Sequence, residues 1–432
     1  MWLTCMAGGP ITDKTPKTIQ YNCCNGRRRN DKQGSRLSGV CFPALFPGLN
    51  ANCGAVYRGS WTSFLKSIMT FSGDLSSMTA PSFILSSTSL IEYCSYWGEH
   101  PDLFAQIAKE TDVEKRCLAV LRWYISTLKG MFAARNENLG SEKKPFNPIL
   151  GEQFKGEWNT GGDVGTTKLV AEQVSHHPPV FAYRMYNPTH KISFEGYGQQ
   201  KTGFSGRTMT VKQLGHAMLH LTLPDGTEEH YLVTLPGLIL EGLLMGSPYV
   251  ELTGTSYIVG SNGYVSAIDY SGKGWISGKK NSLKATLTAP GQKKPSYTVS
   301  GSWSKQSTLR NESNKVEQPF WDATSPTRHP ISVPEPTASG PYESRRVWQS
   351  VAAALNAGDF DAAAREKSKL EQAQRDKRKQ EAEQGKGWEQ AFFNWDPRDG
   401  WYEQLLNLLG KDAKGMPAQE GFWKWKPEAF EQ

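Results

Sequence analysis

No apolar run in the 432-residue chain is long enough to cross a bilayer as a helix. The most apolar stretch, Leu232 to Met245, is interrupted by Pro236, Gly237, Glu241 and Gly242. The N-terminus lacks the basic start and apolar core of a secretory signal. Cysteine is scarce: five of the seven fall within the first 53 residues, and the main body has no paired framework. That distribution points to a reducing, cytosolic setting. The adjacent Cys23 and Cys24 lack the C-x-x-C spacing of a zinc site. No G-x-S-x-G elbow would make a serine a nucleophile, and there is no zinc-finger or RNA-binding pattern. The net charge of +7 is a mild excess that suits an anionic partner. Without a nucleic-acid motif, a nucleic-acid partner is set aside.

With 38% hydrophobic and 21% charged residues, the chain reads as globular. Its 42 glycines and 14 tryptophans favour strands and turns over helices. Residues 1–58 show neither helical nor strand periodicity and read as a disordered extension. From Ser60, a plausible N-cap, Trp61, Phe64, Leu65, Ile68 and Met69 form one helical stripe. The opposite face is rich in Ser and Thr, with Lys66 as its only charge. Such a helix suits a pocket mouth or a membrane interface, and equally an ordinary core. Helices are predicted over 90–96, 101–109 and 113–134. From about residue 151 to 303 the period changes to two, with turns at Pro224-Asp225-Gly226 and Ser261-Asn262-Gly263. This pattern predicts a meandering antiparallel sheet that closes on itself around a cavity. Beyond a Pro-rich connector, helices are predicted over 344–357 and, capped by Asp359, to about Gln384. The tryptophan-rich tail is expected to pack back onto the barrel.

Residues 172–179 read Glu-Gln-Val-Ser-His-His-Pro-Pro. In an extended chain the two imidazoles would point to opposite faces, and no third ligand completes a metal site. The prolines hold the rings in place, and near neutral pH they could donate to a phosphate, whose charge favours their protonation.

The octet resembles the signature of the oxysterol-binding protein-related family. The resemblance extends from about residue 59 to the C-terminus through WTSFLKSI (61–68), LGSEKKPFNPILGE (139–152), SGKKNS (277–282) and the helix around 359–380. It implies the short, lipid-binding-domain subclass and a mainly β fold with helical additions (α+β). In that fold an incomplete antiparallel β-barrel (140–305) encloses a lipid tunnel. A lid (59–80), a helical segment (81–135) and a C-terminal helical subdomain (306–432) surround it. The resemblance also implies a headgroup site for phosphatidylinositol 4-phosphate at Lys144, His176, His177, Lys367, Glu371 and Arg375. Taken alone, the last three also fit a solvated, salt-bridged helix face. At the sterol end, Trp97 and Gln213 match the family, whereas Met131-Phe132 replaces a Gln-Tyr pair and Gly198 an asparagine. Losing those polar groups weakens the expected satisfaction of a buried sterol hydroxyl.

The expected protein is a monomeric, non-enzymatic carrier without cofactor or metal, touching membranes transiently. It would be cytoplasmic and peripheral, serving Golgi or endoplasmic-reticulum membranes. It would exchange the phosphoinositide for a sterol. The alternatives are a phosphoinositide sensor without net transport, or a carrier of another second lipid.

Overall fold

Fourteen strands form one antiparallel sheet, and the chain visits them almost in order. The computed structural model describes residues 63, 66, 67, 80–133, 143–204, 208–242, 249–272, 278–324, 328–410 and 421–430. The extension over 1–58 and the stripe Trp61, Phe64, Leu65, Ile68 and Met69 lie outside these residues. From the polar face of that stripe, Ser63, Lys66 and Ser67 are helical and exposed.

Two short strands, β1 (Leu85–Ser89) and β2 (Lys144–Phe146), pair in parallel beside the main sheet. The sheet itself begins with β3 (Gln153–Asn159), β4 (Thr166–His176), β5 (Pro179–Asn187) and β6 (Ile192–Phe204). It continues through β7 (Met209–Leu214), β8 (His216–Thr222), β9 (Glu228–Thr234), β10 (Gly237–Glu241) and β11 (Tyr249–Gly260). It ends with β12 (Val265–Ser271), β13 (Ser282–Thr288), β14 (Tyr297–Ser302), β15 (Gln306–Asn311) and β16 (Glu317–Asp322).

Strands β7 and β8 behave as one long strand with a break. Both pair with β6 in a single register, Gln199 opposite Leu214 and Gly196 opposite Ala217. The break is Gly215, with φ +104°, where a Cβ would lie 2.2 Å from the Tyr197 carbonyl oxygen. Pro236 separates β9 from β10, and its carbonyl accepts from Gln213 Nε2 at 2.8 Å. The sheet is therefore a continuous meander whose end strands, β3 and β16, are not paired with each other among the described residues. Gly215→Ala is expected to lower stability by about 2–4 kcal/mol, since it combines a left-handed φ with a backbone clash. Urea unfolding would check this, and an unchanged midpoint would contradict it.

Both predicted turns are present. Gly226 donates to the Leu223 carbonyl and Gly263 to that of Gly260, each at 2.9 Å. The sheet runs past residue 305, where the barrel was expected to stop. Residues 306–322 form its last two strands, because Ser307 and Leu309 alternate inward as buried positions. The segment expected to be a helix over 90–96 is a 3₁₀ helix, Leu90–Gly98. Ile91, Cys94 and Trp97, all buried, recur every three residues, which matches three residues per turn.

Helices α1 (Pro101–Lys109) and α2 (Val113–Phe132) follow, α2 capped by Asp112, which accepts from the Lys115 amide at 2.9 Å. Arg116 fixes α2 to β9 by donating to both carboxylate oxygens of Glu229, at 2.9 and 2.5 Å. C-terminal to the sheet come α3 (Ser344–Val347), α4 (Gln349–Asn356) and α5 (Phe360–Glu383). Asp359 caps α5, accepting from the Ala362 amide at 2.8 Å. The expected helical subdomain also contains a hairpin of β17 (Phe393–Asp396) and β18 (Phe422–Trp425), with α6 (Gly400–Asn407) between them. This tail packs on the sheet: Phe392, Phe393, Tyr402, Leu405 and Phe422 share a buried cluster with Val174, Ala182, Tyr197, Met218 and Leu232. Trp395 and Trp401 remain 45% and 39% exposed.

Candidate functional site

β4 ends at His176, which pairs with Pro179, so His177-Pro178 forms a two-residue turn into β5. Ser175 Oγ donates to the Pro178 carbonyl across it at 2.7 Å. The two imidazoles do not point to opposite faces. Their ring centroids are 4.8 Å apart and nearly perpendicular, because His177 has left the alternating strand. Nor is the pair set up to be charged. Burial pushes the His176 pKa down to about 4, helped by the adjacent His177 and Arg378, while the Pro148 carbonyl pulls weakly upward. His177 is lowered as well, by burial and then by Arg378.

Behind His176 lies a small cavity of about 10 Å³, whose lining includes Asn147, Gln173, Phe181 and Gly198. Buried polar atoms of this lining without a hydrogen-bond partner include His176 Nδ1, Gln173 Oε1 and Asn147 Oδ1. Buried polar atoms are rarely left unpaired, and a cavity of this size has room for one water, whose hydrogens would serve the Gln173 and Asn147 amide oxygens.

Lys144 opens β2 and is buried, paired in register with Leu85. Its neighbour Lys143 donates to the Phe83 carbonyl at 2.9 Å, and burial lowers its pKa. The end of the same segment holds Glu152, which is fully buried. It accepts from Ser89 Oγ at 2.5 Å, Ser344 Oγ at 2.8 Å, and Trp348 Nε1 and the Ile149 amide at 2.9 Å. One carboxyl thus joins β1, the β2–β3 connection, α3 and Trp348. Glu172, the first residue of the octet, accepts from the amides of Ala391 and Phe392 at 2.7 and 2.8 Å.

On α5, Lys367 is buried and ion-paired with Glu371. Arg375 is exposed and donates to Gln372 of its own helix, at 2.8 Å for Nη2. The arginine that reaches the octet is Arg378, whose Nη1 lies 2.9 Å from His177 Nε2. Arg378 shares the face of Lys367, Glu371 and Arg375 but lies about 16 Å along the axis from Lys367. The site is accordingly elongated, with the imidazoles at one end and the Lys367–Glu371 pair towards the other. Sequence reasoning missed Arg378, Asn147, Gln173 and Glu152. The only available signal for Arg378 was its place on that face.

At the expected sterol end, Trp97 is buried in an aromatic cluster, 4.8 Å from Phe194, 5.9 Å from Trp123 and 6.1 Å from Tyr183 between ring centroids. Met131 and Phe132 are buried in the last turn of α2. Gly198 lies under Phe181, where a Cβ would meet the ring at 2.6 Å, so the ring fills the space of a larger side chain. Gln213 is engaged at the strand break, holding the Pro236 carbonyl.

The family model for oxysterol-binding protein matches residues 60–354. The chain belongs to the oxysterol-binding protein family. Protein kes1 of Schizosaccharomyces pombe is 50% identical over 372 residues, covering 85% of this chain and 93% of that protein. The Osh1 ORD domain, solved in complex with cholesterol, has the same fold, with a TM-score of 0.67 at 23% identity over 86% of this chain and 87% of its own. The Osh3 ORD of Saccharomyces cerevisiae, solved in complex with PI(4)P, aligns with a TM-score of 0.60 at 26% identity over 77% of this chain and 86% of its own. These likenesses give an oxysterol-binding protein fold: a large antiparallel sheet with a few helices, of the lipid-binding and lipid-transfer type. No helix among the described residues is long and apolar enough to cross a membrane.

Proposed function

We propose that the protein extracts phosphatidylinositol 4-phosphate from membranes and exchanges it for a second lipid, a sterol in the leading case, with no covalent chemistry. The carrying observation is the juxtaposition of the His176 and His177 imidazoles with the Arg378 guanidinium at the turn between β4 and β5. The PI(4)P complex of the Osh3 ORD supports the same ligand class. In this reading Lys144, Lys367 and Arg375 supply further cationic donors, and Glu371 orients Lys367 or accepts from inositol hydroxyls. Each charge-assisted bond to phosphate contributes about 1.5–3 kcal/mol, so two or three dominate headgroup selection. Trp97, Met131, Phe132, Gly198 and Gln213 stand towards the apolar cargo, and Trp61, Phe64, Leu65, Ile68 and Met69 form the lid and membrane contact. The protein works as a monomer at cytoplasmic membrane surfaces, those of the Golgi and endoplasmic reticulum by family resemblance.

The test is extraction and transfer between two liposome populations, one carrying phosphatidylinositol 4-phosphate and the other a fluorescent sterol. The wild type should extract both, and His176→Ala/His177→Ala should lose phosphoinositide extraction by about 100-fold while retaining sterol. Extraction without delivery would mark a sensor. Phosphoinositide extraction without sterol uptake would point to another second lipid, in keeping with the apolar Met131, Phe132 and Phe181. Failure to extract either lipid would sink the carrier reading.

A further inference from the structure

Arg378 Nη1 lies 2.9 Å from Nε2 of His177. A guanidinium only donates, and it stays protonated throughout the stable pH range of proteins. Nε2 must therefore accept, and His177 carries its single ring proton on Nδ1. Nε2 is thus occupied as an acceptor, and in this state it cannot donate to an anion.

We propose that Arg378 is a positioning residue of the headgroup site. It holds His177 as a neutral acceptor and passes to the phosphate when the anion binds, as His177 takes up one proton from the buffer. This inference rests on the headgroup reading above and adds a regulation to it: lipid uptake is coupled to protonation. Only an N–H bond forms, and the proton comes from solvent.

Two further observations agree. The charged groups acting on the rings are His177 and Arg378 for His176, and Arg378 for His177; no carboxylate is among them. No carboxylate therefore stabilises the His177 imidazolium, and a bound phosphate would be its counter-charge. In addition, Arg375, the nearer match to the family pattern, is held by Gln372 on its own helix, which leaves Arg378 as the guanidinium in contact.

The experiment is nitrogen NMR of the full chain with ¹⁵N-labelled histidine, titrated in pH with and without glycerophosphoinositol 4-phosphate as a soluble probe. Alone, His177 should show the Nδ1–H tautomer and titrate below the ordinary histidine range. With saturating probe it should be doubly protonated at neutral pH. Probe affinity should then fall by up to about tenfold per pH unit between the two titration midpoints, for one proton taken up. In Arg378→Gln, the titration of free His177 should move up and the affinity profile should flatten. Arg378→Lys, which still donates, should keep the wild-type tautomer. A neutral His177 in the saturated complex, or an unchanged titration in Arg378→Gln, would overturn the proposal while leaving the headgroup site intact. No response of either imidazole to the probe at any pH would overturn both.

Discussion

Glu152→Gln should remove a fall in stability between pH 4.5 and 7 that the wild type shows. The Glu152 carboxyl is fully buried, and desolvation raises its pKa from 4.5 to about 7 despite four donors. Its folded pKa is thus above its unfolded one. As pH rises through this window the unfolded chain releases the proton first, so stability is greatest below pH 4.5 and is lost towards pH 7. The loss is on the order of 3 kcal/mol, levelling off above pH 7. Glutamine is nearly isosteric: its carbonyl can accept from Trp348 and Ile149, while its amide donates to the hydroxyls of Ser89 and Ser344. Glu152→Ala should be less stable than Glu152→Gln by about 3–5 kcal/mol at every pH, because the Trp348 and Ile149 donors lose their acceptor. Urea midpoints from pH 4 to 8 decide the matter. Parallel profiles for wild type and Glu152→Gln would mean that the carboxyl is ionised throughout.

Lys367→Ala should weaken binding of phosphatidylinositol 4-phosphate by about 10- to 100-fold, the equivalent of one charge-assisted bond. The substitution does more than delete a donor, since it also leaves Glu371, in the proposed site beside the anion, without its ion-pair partner. Lys367→Ala/Glu371→Ala should therefore bind more tightly than Lys367→Ala alone. Extraction from liposomes measures both variants. Equal affinities would place the pair away from the headgroup, as a solvated helix contact.

The sheet was legible because its turn chemistry is local. Pro224-Asp225-Gly226 and Ser261-Asn262-Gly263 each close a hairpin within a few residues, so neighbouring positions carry the whole signal. Its end was not legible, since alternation through Ser307 and Leu309 is short and follows the exposed Lys305-Gln306. The histidine pair stood out by composition, but its charge state did not. Protonation depends on burial and on Arg378, which is two hundred residues away in the chain and adjacent only after α5 docks. Glu152 was hidden for the same reason. A glutamate in a loop reads as surface, and only the arrival of Ser344 and Trp348 makes it a buried hub.

The Glu172 contact gives the octet a second duty. Its carboxylate grips the backbone at Ala391 and Phe392 while the other end of the motif presents the imidazoles. The tail is thus a splint laid along the strand that carries the two histidines. A chain cut before residue 391 would leave that carboxylate buried without its two amide donors. The damage would appear at the far end of the same strand, in lipid binding, although every proposed headgroup residue would still be present.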